Sequence, residues 1–111
     1  WGDGTPMREF LYADDLANAL VYLMLNYDER EFVNVGYGSD IMIGDLAKMI
    51  GEIVGFKGEI VFDASKPNGT PKKLMDSSRL FATGWQPKTH LQEGISLAYA
   101  DFLTKHSTKN N

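Results

Sequence analysis

The residues best suited to chemistry lie in two short runs, and both point to the holding of an anion. The first is Trp1-Gly2-Asp3-Gly4-Thr5-Pro6-Met7-Arg8. Its glycines let backbone approach a ligand closely. Arg8 follows them with a planar fork of donors that matches phosphate. The second run is Lys66-Pro67-Asn68-Gly69-Thr70-Pro71-Lys72-Lys73, in which two prolines hold the chain extended and three lysines fall within eight residues. Joined to Arg8, these lysines could neutralise a diphosphate. Asn68 offers a donor and an acceptor to the edge of a base or sugar. Trp1 could stack on such a ring, although an isolated tryptophan more often belongs to a core. Composition alone favours a solvated surface loop for the lysine run.

No complete catalytic set accompanies these cations. The sequence has no G-x-S-x-G and no Tyr-x-x-x-Lys, and Gly2-Asp3-Gly4 and Gly36-Tyr37-Gly38 each lack the third glycine of a dinucleotide fingerprint. His90 and His106 have no partner at metal-ligand spacing, and with no cysteine there is neither a thiolate site nor a disulfide. Asp14-Asp15 reads as a helix start, since acids favour that end of the helix dipole. Asp63 and Asp76 have no carboxylate partner at a defined spacing. Asn34, polar within an apolar run, is expected to satisfy nearby backbone. The expectation is therefore a chain that grips a substrate without transforming it: no catalytic residue, no cofactor site and no metal site of its own.

The elements that must position these groups follow from periodicity. Leu16, Leu20, Leu23 and Tyr27 predict a helix from Asp15 to about Asn26, capped by Asp14 or Asp15 and apolar enough to be buried on more than one side. Leu46, Met49, Ile50 and Ile53 predict a second helix over 43–54, with Gly55 stopping it. Asp76 caps a short helix through Leu80, ended by Gly84-Trp85-Gln86-Pro87, with Trp85 in the core. Thr89 and Gln92 form a capping box for a last helix from Leu91 to Leu103, its Leu91, Ile95, Ala98 and Phe102 facing inward. Residues 105–111 read as a polar, frayed tail. Short strands are expected at Phe10–Tyr12, Phe32–Val35 and Glu59–Phe62. Strands alternating with helices give an α/β class, here a thin sheet with about four helices.

With 111 residues, 43% hydrophobic and 12% aromatic, the chain is one globular domain. Its net charge of −4, from 11 basic and 15 acidic residues, argues against binding nucleic acid but leaves room for a small anion at a local basic cluster. No apolar run is long enough to span a membrane, so no membrane partner is expected. The chain opens at Trp1, without an initiator methionine, inside what reads as a functional turn. The expectation is a piece of a longer protein, a lobe (1–104) that docks onto a larger domain.

Taken together the motifs resemble a known family. Asp76-Ser77-Ser78-Arg79-Leu80 with Gly84-Trp85-Gln86-Pro87, and Arg8-Glu9-Phe10-Leu11-Tyr12-Ala13-Asp14-Asp15, resemble segments shared by the extended short-chain dehydrogenases that act on nucleotide sugars. Ser65-Lys66-Pro67-Asn68-Gly69-Thr70-Pro71-Lys72-Lys73-Leu74 and Trp1 to Phe10 are more specific and resemble the GDP-L-fucose synthase family, over nearly the whole chain. The resemblance implies the smaller, substrate-binding C-terminal lobe of a two-part NADP(H)-dependent epimerase/reductase. The Rossmann domain, with the cofactor, the Ser-Tyr-Lys set and a homodimer contact, would be outside this chain. It implies a cytoplasmic enzyme acting on GDP-4-keto-6-deoxy-mannose, with Trp1 and Arg8 on the nucleotide sugar and Lys72 and Lys73 in the same pocket. Two departures stand out: Asn68 replaces the family's usual Asp, and Lys72 replaces its usual Arg, keeping charge but losing the bidentate fork. An equivalent lobe of another nucleotide-sugar epimerase or dehydratase, or a detached non-catalytic binding module, would carry the same shared motifs.

Overall fold

Pairing, rather than hydrophobic alternation, decides where this chain forms a sheet. The structure, a computed structural model, describes residues 1–107. Its elements in order are β1 (Met7–Arg8), α1 (Ala13–Asn26), β2 (Ile41–Met42), α2 (Ile43–Val54), β3 (Lys72–Lys73), α3 (Ser78–Ala82) and α4 (Leu91–Ser107). The sheet runs β2-β1-β3. Met7 and Arg8 pair antiparallel with Met42 and Ile41, and parallel with Lys72 and Lys73. Four helices and three short strands give the α/β class expected.

The strands themselves lie elsewhere than expected. Phe10–Tyr12 is the extended lead into α1, and the strand comes three residues earlier. Phe32–Val35 and Glu59–Phe62 have no ladder partner among the described residues. Val33 and Val35 pack on the core while Asn34 turns away and donates to the Asp76 carbonyl at 3.2 Å. Phe62 lies where a side chain on Gly4 would be, and Ile60 sits against Gly51 of α2. Conversely, Lys72–Lys73, in what reads as loop, becomes a strand because Met7 N–H donates to the Pro71 carbonyl at 2.8 Å and starts the parallel ladder.

Helix α2 spans the predicted residues and ends at Gly55, which takes a left-handed φ of 72° that a side chain would oppose. Helix α1 begins two residues earlier than predicted. Its N-cap is Tyr12, which has no side-chain cap bond, and Asp14 and Asp15 fall in the first turn, where they still favour the dipole. Asp15 turns inward instead of capping, and its Oδ2 accepts the Thr89 N–H at 2.9 Å. That bond removes the Thr89 N–H from the expected capping box. Gly94 N–H bonds to the His90 carbonyl, which makes His90 the residue that opens α4. Helix α4 continues to Ser107, into the expected tail, where Lys105 pairs with Asp101 at 2.9 Å; the remaining tail residues lie outside the described ones.

Ala19, Leu80 and Trp85 form the buried core, flanked by Leu11, Tyr22, Leu23, Val33, Val35 and Phe81. The Trp85 indole N–H donates to Asn18 at 2.9 Å, which satisfies its polar edge. The inner face of α1 is thus Asp15, Ala19, Tyr22 and Leu23. Leu16 and Leu20, expected inside, are exposed together with Val21, Met24 and Leu25. On α4, Leu91 and Ile95 are half-buried, whereas Ala98 and Phe102 are exposed. The radius of gyration is 17.0 Å and the extents are 49 × 42 × 19 Å. A compact chain of this length has a radius of about 13 Å. The molecule is a slab with more apolar surface than it covers by itself.

Candidate functional site

The two cation-bearing runs lie side by side. Because β1 and β3 pair in parallel, Arg8 and Lys73 are register partners and leave the sheet on the same face. The Asn68-Gly69 turn comes up beside Arg8. A side chain on Gly69 would come within 3.6 Å of Arg8 Nη2. The other end of the turn is tied to the start of the chain: Asn68 Oδ1 accepts the Asp3 N–H at 2.8 Å, and Gly2 N–H donates to the Asp63 carbonyl at 2.9 Å. Gly2 has a φ of 82° and a Cβ there would overlap Asn68, so glycine is required on two counts. Asp3 and Asp63 brace their turns through Thr5 and Ser65. The hydroxyl bond is the larger cause and the backbone N–H the next in holding both carboxyls below the usual carboxylate range.

Three cations are answered within the chain. Lys72 Nζ lies 3.8 Å from Asp40, Arg79 pairs with Glu31 at 3.0 Å and Lys105 with Asp101. Among the described residues Arg8, Lys66 and Lys73 have no such ion pair, and neither do Arg30, Lys48, Lys57 and Lys88; Arg8 and Lys73 differ from these in lying opposite one another on paired strands. Arg8 spends one donor on the Met7 carbonyl at 2.7 Å, and Lys66 Nζ sits 5.5 Å from the ring of Trp1, a cation–π distance. Like charges opposite one another on neighbouring strands repel. An arginine and a lysine held so, with no acid between them, favour an anion that bridges both. Trp1 is not in the core: it is 84% exposed and offers a flat face next to this charge.

Arg8 and Lys73 therefore share one face of the sheet, with Gly69 beside Arg8, whereas Lys72 stands apart because consecutive strand residues alternate faces. Hollows among the described residues include one of about 390 Å³ against Tyr37, Phe81, Gln86 and His90, and an apolar one of about 300 Å³ between Phe10, Leu46, Ile50, Leu91 and Ile95. Two partners escaped the reading of the sequence. Glu9, directly after Arg8, accepts the Gly38 N–H at 2.7 Å and the Met75 N–H at 3.3 Å. The Tyr37 hydroxyl and His90 Nδ1 are 3.2 Å apart. Only Glu9 left a signal, an acid placed next to the arginine.

Residues 1–36 match the family model described as NAD dependent epimerase/dehydratase family. A GDP-L-fucose synthase of Sinorhizobium fredii is 51% identical over 104 residues, 94% of this chain and 33% of its own length. A probable GDP-L-fucose synthase of Oryza sativa is 54% identical over 99 residues, 89% of this chain and 30% of its own. The chain is thus similar to members of the NAD dependent epimerase/dehydratase family. It spans about a third of the length of the curated relatives it matches. The fold agrees: the solved GDP-L-fucose synthetase of Naegleria fowleri superposes with a TM-score of 0.89 at 31% identity, covering 96% of this chain and 33% of that one. The same enzyme has been solved bound to NADP.

A family named for a nicotinamide cofactor raises the question whether these residues would hold one. They do not fit it. The space beside Gly36 is taken by the Glu9 carboxylate, 2.7 Å from where a Cβ would stand, and a carboxylate there repels a pyrophosphate. The Gly2–Gly4 turn packs on Asn68 and Phe62, and its Gly4 carbonyl already accepts the Gly44 N–H at the start of α2 at 2.8 Å, where a phosphate would have to sit. No group of three or more metal-ligating side chains occurs among the described residues, and none of their helices is long and apolar enough to cross a membrane.

Proposed function

We propose that this chain is the substrate-binding part of a GDP-L-fucose synthase, and that it grips the nucleotide diphosphate of GDP-4-keto-6-deoxy-mannose. The observation that carries the reading is the register pairing of Arg8 with Lys73 without a neutralising acid. Arg8 takes two oxygens of the diphosphate through its fork, and Lys73 adds a point charge on the same face. Trp1, steadied by Lys66, stacks on the base or sugar. Asn68 contributes less to binding than a free amide would, since its oxygen is committed to Asp3. Lys72, held by Asp40, adds long-range attraction only.

The acid–base groups and the NADP(H) site of the epimerisation and reduction lie in this reading outside the 111 residues. The exposed apolar face of α1 supports it, because a face of Leu16, Leu20, Met24 and Leu25 is what a lobe presents to a neighbouring domain. The chain alone is then inactive and binds weakly, with one wall of its pocket absent. The test uses the whole protein that carries this chain. Calorimetric titration should give GDP an affinity at least about tenfold above UDP and dTDP, and NADPH should be consumed with GDP-4-keto-6-deoxy-mannose. A preference for UDP or dTDP would assign the lobe to another nucleotide-sugar enzyme, and GDP binding without turnover of the GDP-, UDP- or dTDP-linked 4-keto-6-deoxy sugar would leave a binding module.

A further inference from the structure

We infer that Glu9 is a positioning residue that holds the Arg8–Lys73 pair in register, so that the spacing of the two cations depends on its charge. The inference rests on the substrate-gripping reading above and adds a residue to it. The ladder between β1 and β3 is only two residues long. So short a parallel pairing specifies its own register weakly. Glu9 sits one residue beyond Arg8, and its Oε1 accepts the N–H of Met75, two residues beyond Lys73. The carboxylate thus extends, through a side chain, the pairing that the backbone leaves off.

Its second oxygen works on a third segment. Oε2 accepts the Gly38 N–H at 2.7 Å, within the short range of charge-assisted bonds. Gly36 is buried, and a Cβ on it would lie 2.7 and 2.8 Å from the two carboxylate oxygens. Only a bare backbone lets the carboxylate approach so closely. The Gly36–Gly38 turn leads directly to Asp40, the partner that draws Lys72 away from the Arg8 face. One carboxylate therefore fixes the strand of Arg8, the strand of Lys73 and the turn that occupies Lys72. It does so without pairing with Arg8, so the guanidinium remains available to an anion.

Charge and shape can be separated. Glu9→Gln keeps the volume but presents an NH2 where one acceptor stood, so donor faces donor at Gly38 or at Met75. In the whole protein, E9Q should raise KM for the GDP-sugar about tenfold while kcat and the KM for NADPH stay within about twofold. Combined with Arg8→Ala, it should add nothing, because register no longer matters once one cation is gone. Glu9→Asp, which keeps the charge on a shorter arm, should recover part of the lost affinity.

An unchanged sugar KM in E9Q overturns the inference, as does a penalty that multiplies fully with that of R8A. A sugar KM and an NADPH KM that rise together while the thermal midpoint falls, or an E9Q protein that does not fold, also overturns it, since Glu9 would then serve the fold and not the clamp. The underlying reading fails separately: R8A with an unchanged sugar KM removes it whatever Glu9 does.

Discussion

Arg8 and Arg79 are the same side chain in two different settings, and the contrast locates the candidate function. Arg79, on α3, donates to the Phe32 carbonyl at 2.7 Å and pairs with Glu31 at 3.0 Å. It ties the Phe32–Val35 segment to the core beside Leu80, and its charge is answered within the chain. Arg8 lies on a strand beside Lys73, with its charge unanswered among the described residues. What sets Arg8 apart is its place: it faces a second cation, Lys73, across paired strands, and an anion between them would relieve that repulsion. Both arginines lie in family-like motifs, so the motif alone does not tell ligand contact from fastening. The partner does.

The largest expected effect tests that contrast directly. In the whole protein, Arg8→Ala should raise KM for the GDP-sugar about 10- to 100-fold, the loss of a charge-assisted, bidentate contact. Arg79→Ala should leave that KM within about twofold and lower stability by about 1 kcal/mol, read by denaturant unfolding. Equal KM effects from the two variants would erase the distinction. Lys73→Ala should come next, at roughly three- to tenfold in KM, because a single exposed ammonium is a point charge without a fork. Its effect should shrink with added salt, whereas that of Arg8→Ala, made through short directional bonds, should shrink less. Lys72→Ala, answered by Asp40, should fall below both. A Lys72 effect larger than that of Lys73 would mean that the strand presents the other face to the ligand.

The same contrast explains what the sequence could reveal. Helix α2 was legible to the residue, since its apolar stripe and the left-handed glycine after it are local signals. Trp85 in the core and Asn34 bonding to backbone were legible for similar reasons of composition. The sheet was not. Strands of two residues take their place from partners 33 to 65 positions away, so an apolar run such as 59–62 could read as a strand without having a ladder. The inner face of α1 was misjudged because leucines stood out, whereas the helix buries its small Ala19 and the carboxylate of Asp15. At the candidate site, the two cationic runs were legible as chemistry. The separation of Lys73 from Lys72 was not, as it follows from strand alternation inside a stretch that reads as loop. Glu9 was hidden because both its partners are main-chain N–H groups distant in sequence.

The smallest effect concerns the turns that carry the clamp. Asp3 and Asp63 each accept a hydroxyl and a backbone N–H from the residue two positions on, and both carboxyls are held below their usual value. A group whose folded value is depressed contributes stability that is fully present above the unfolded carboxylate value, and that contribution is lost as pH falls through the folded value. Unfolding free energy should therefore decline as pH is lowered below about 4. Asp76, depressed by Ser78 in the same way, belongs to the anchored region near Arg79 and adds to the decline without touching the clamp. Replacing Asp3 and Asp63 together by Asn should make the acid limb shallower, and replacing Asp76 by Asn should do so independently. All three are exposed, so solvent screening keeps each contribution small. The two regions part at ligand binding: near pH 4, GDP affinity should respond to the Asp3/Asp63 pair, which shapes the turn beside Trp1, and stay level in Asp76→Asn. If titration calorimetry gave the same pH dependence for both variants, the turn at the start of the chain would not be part of the grip.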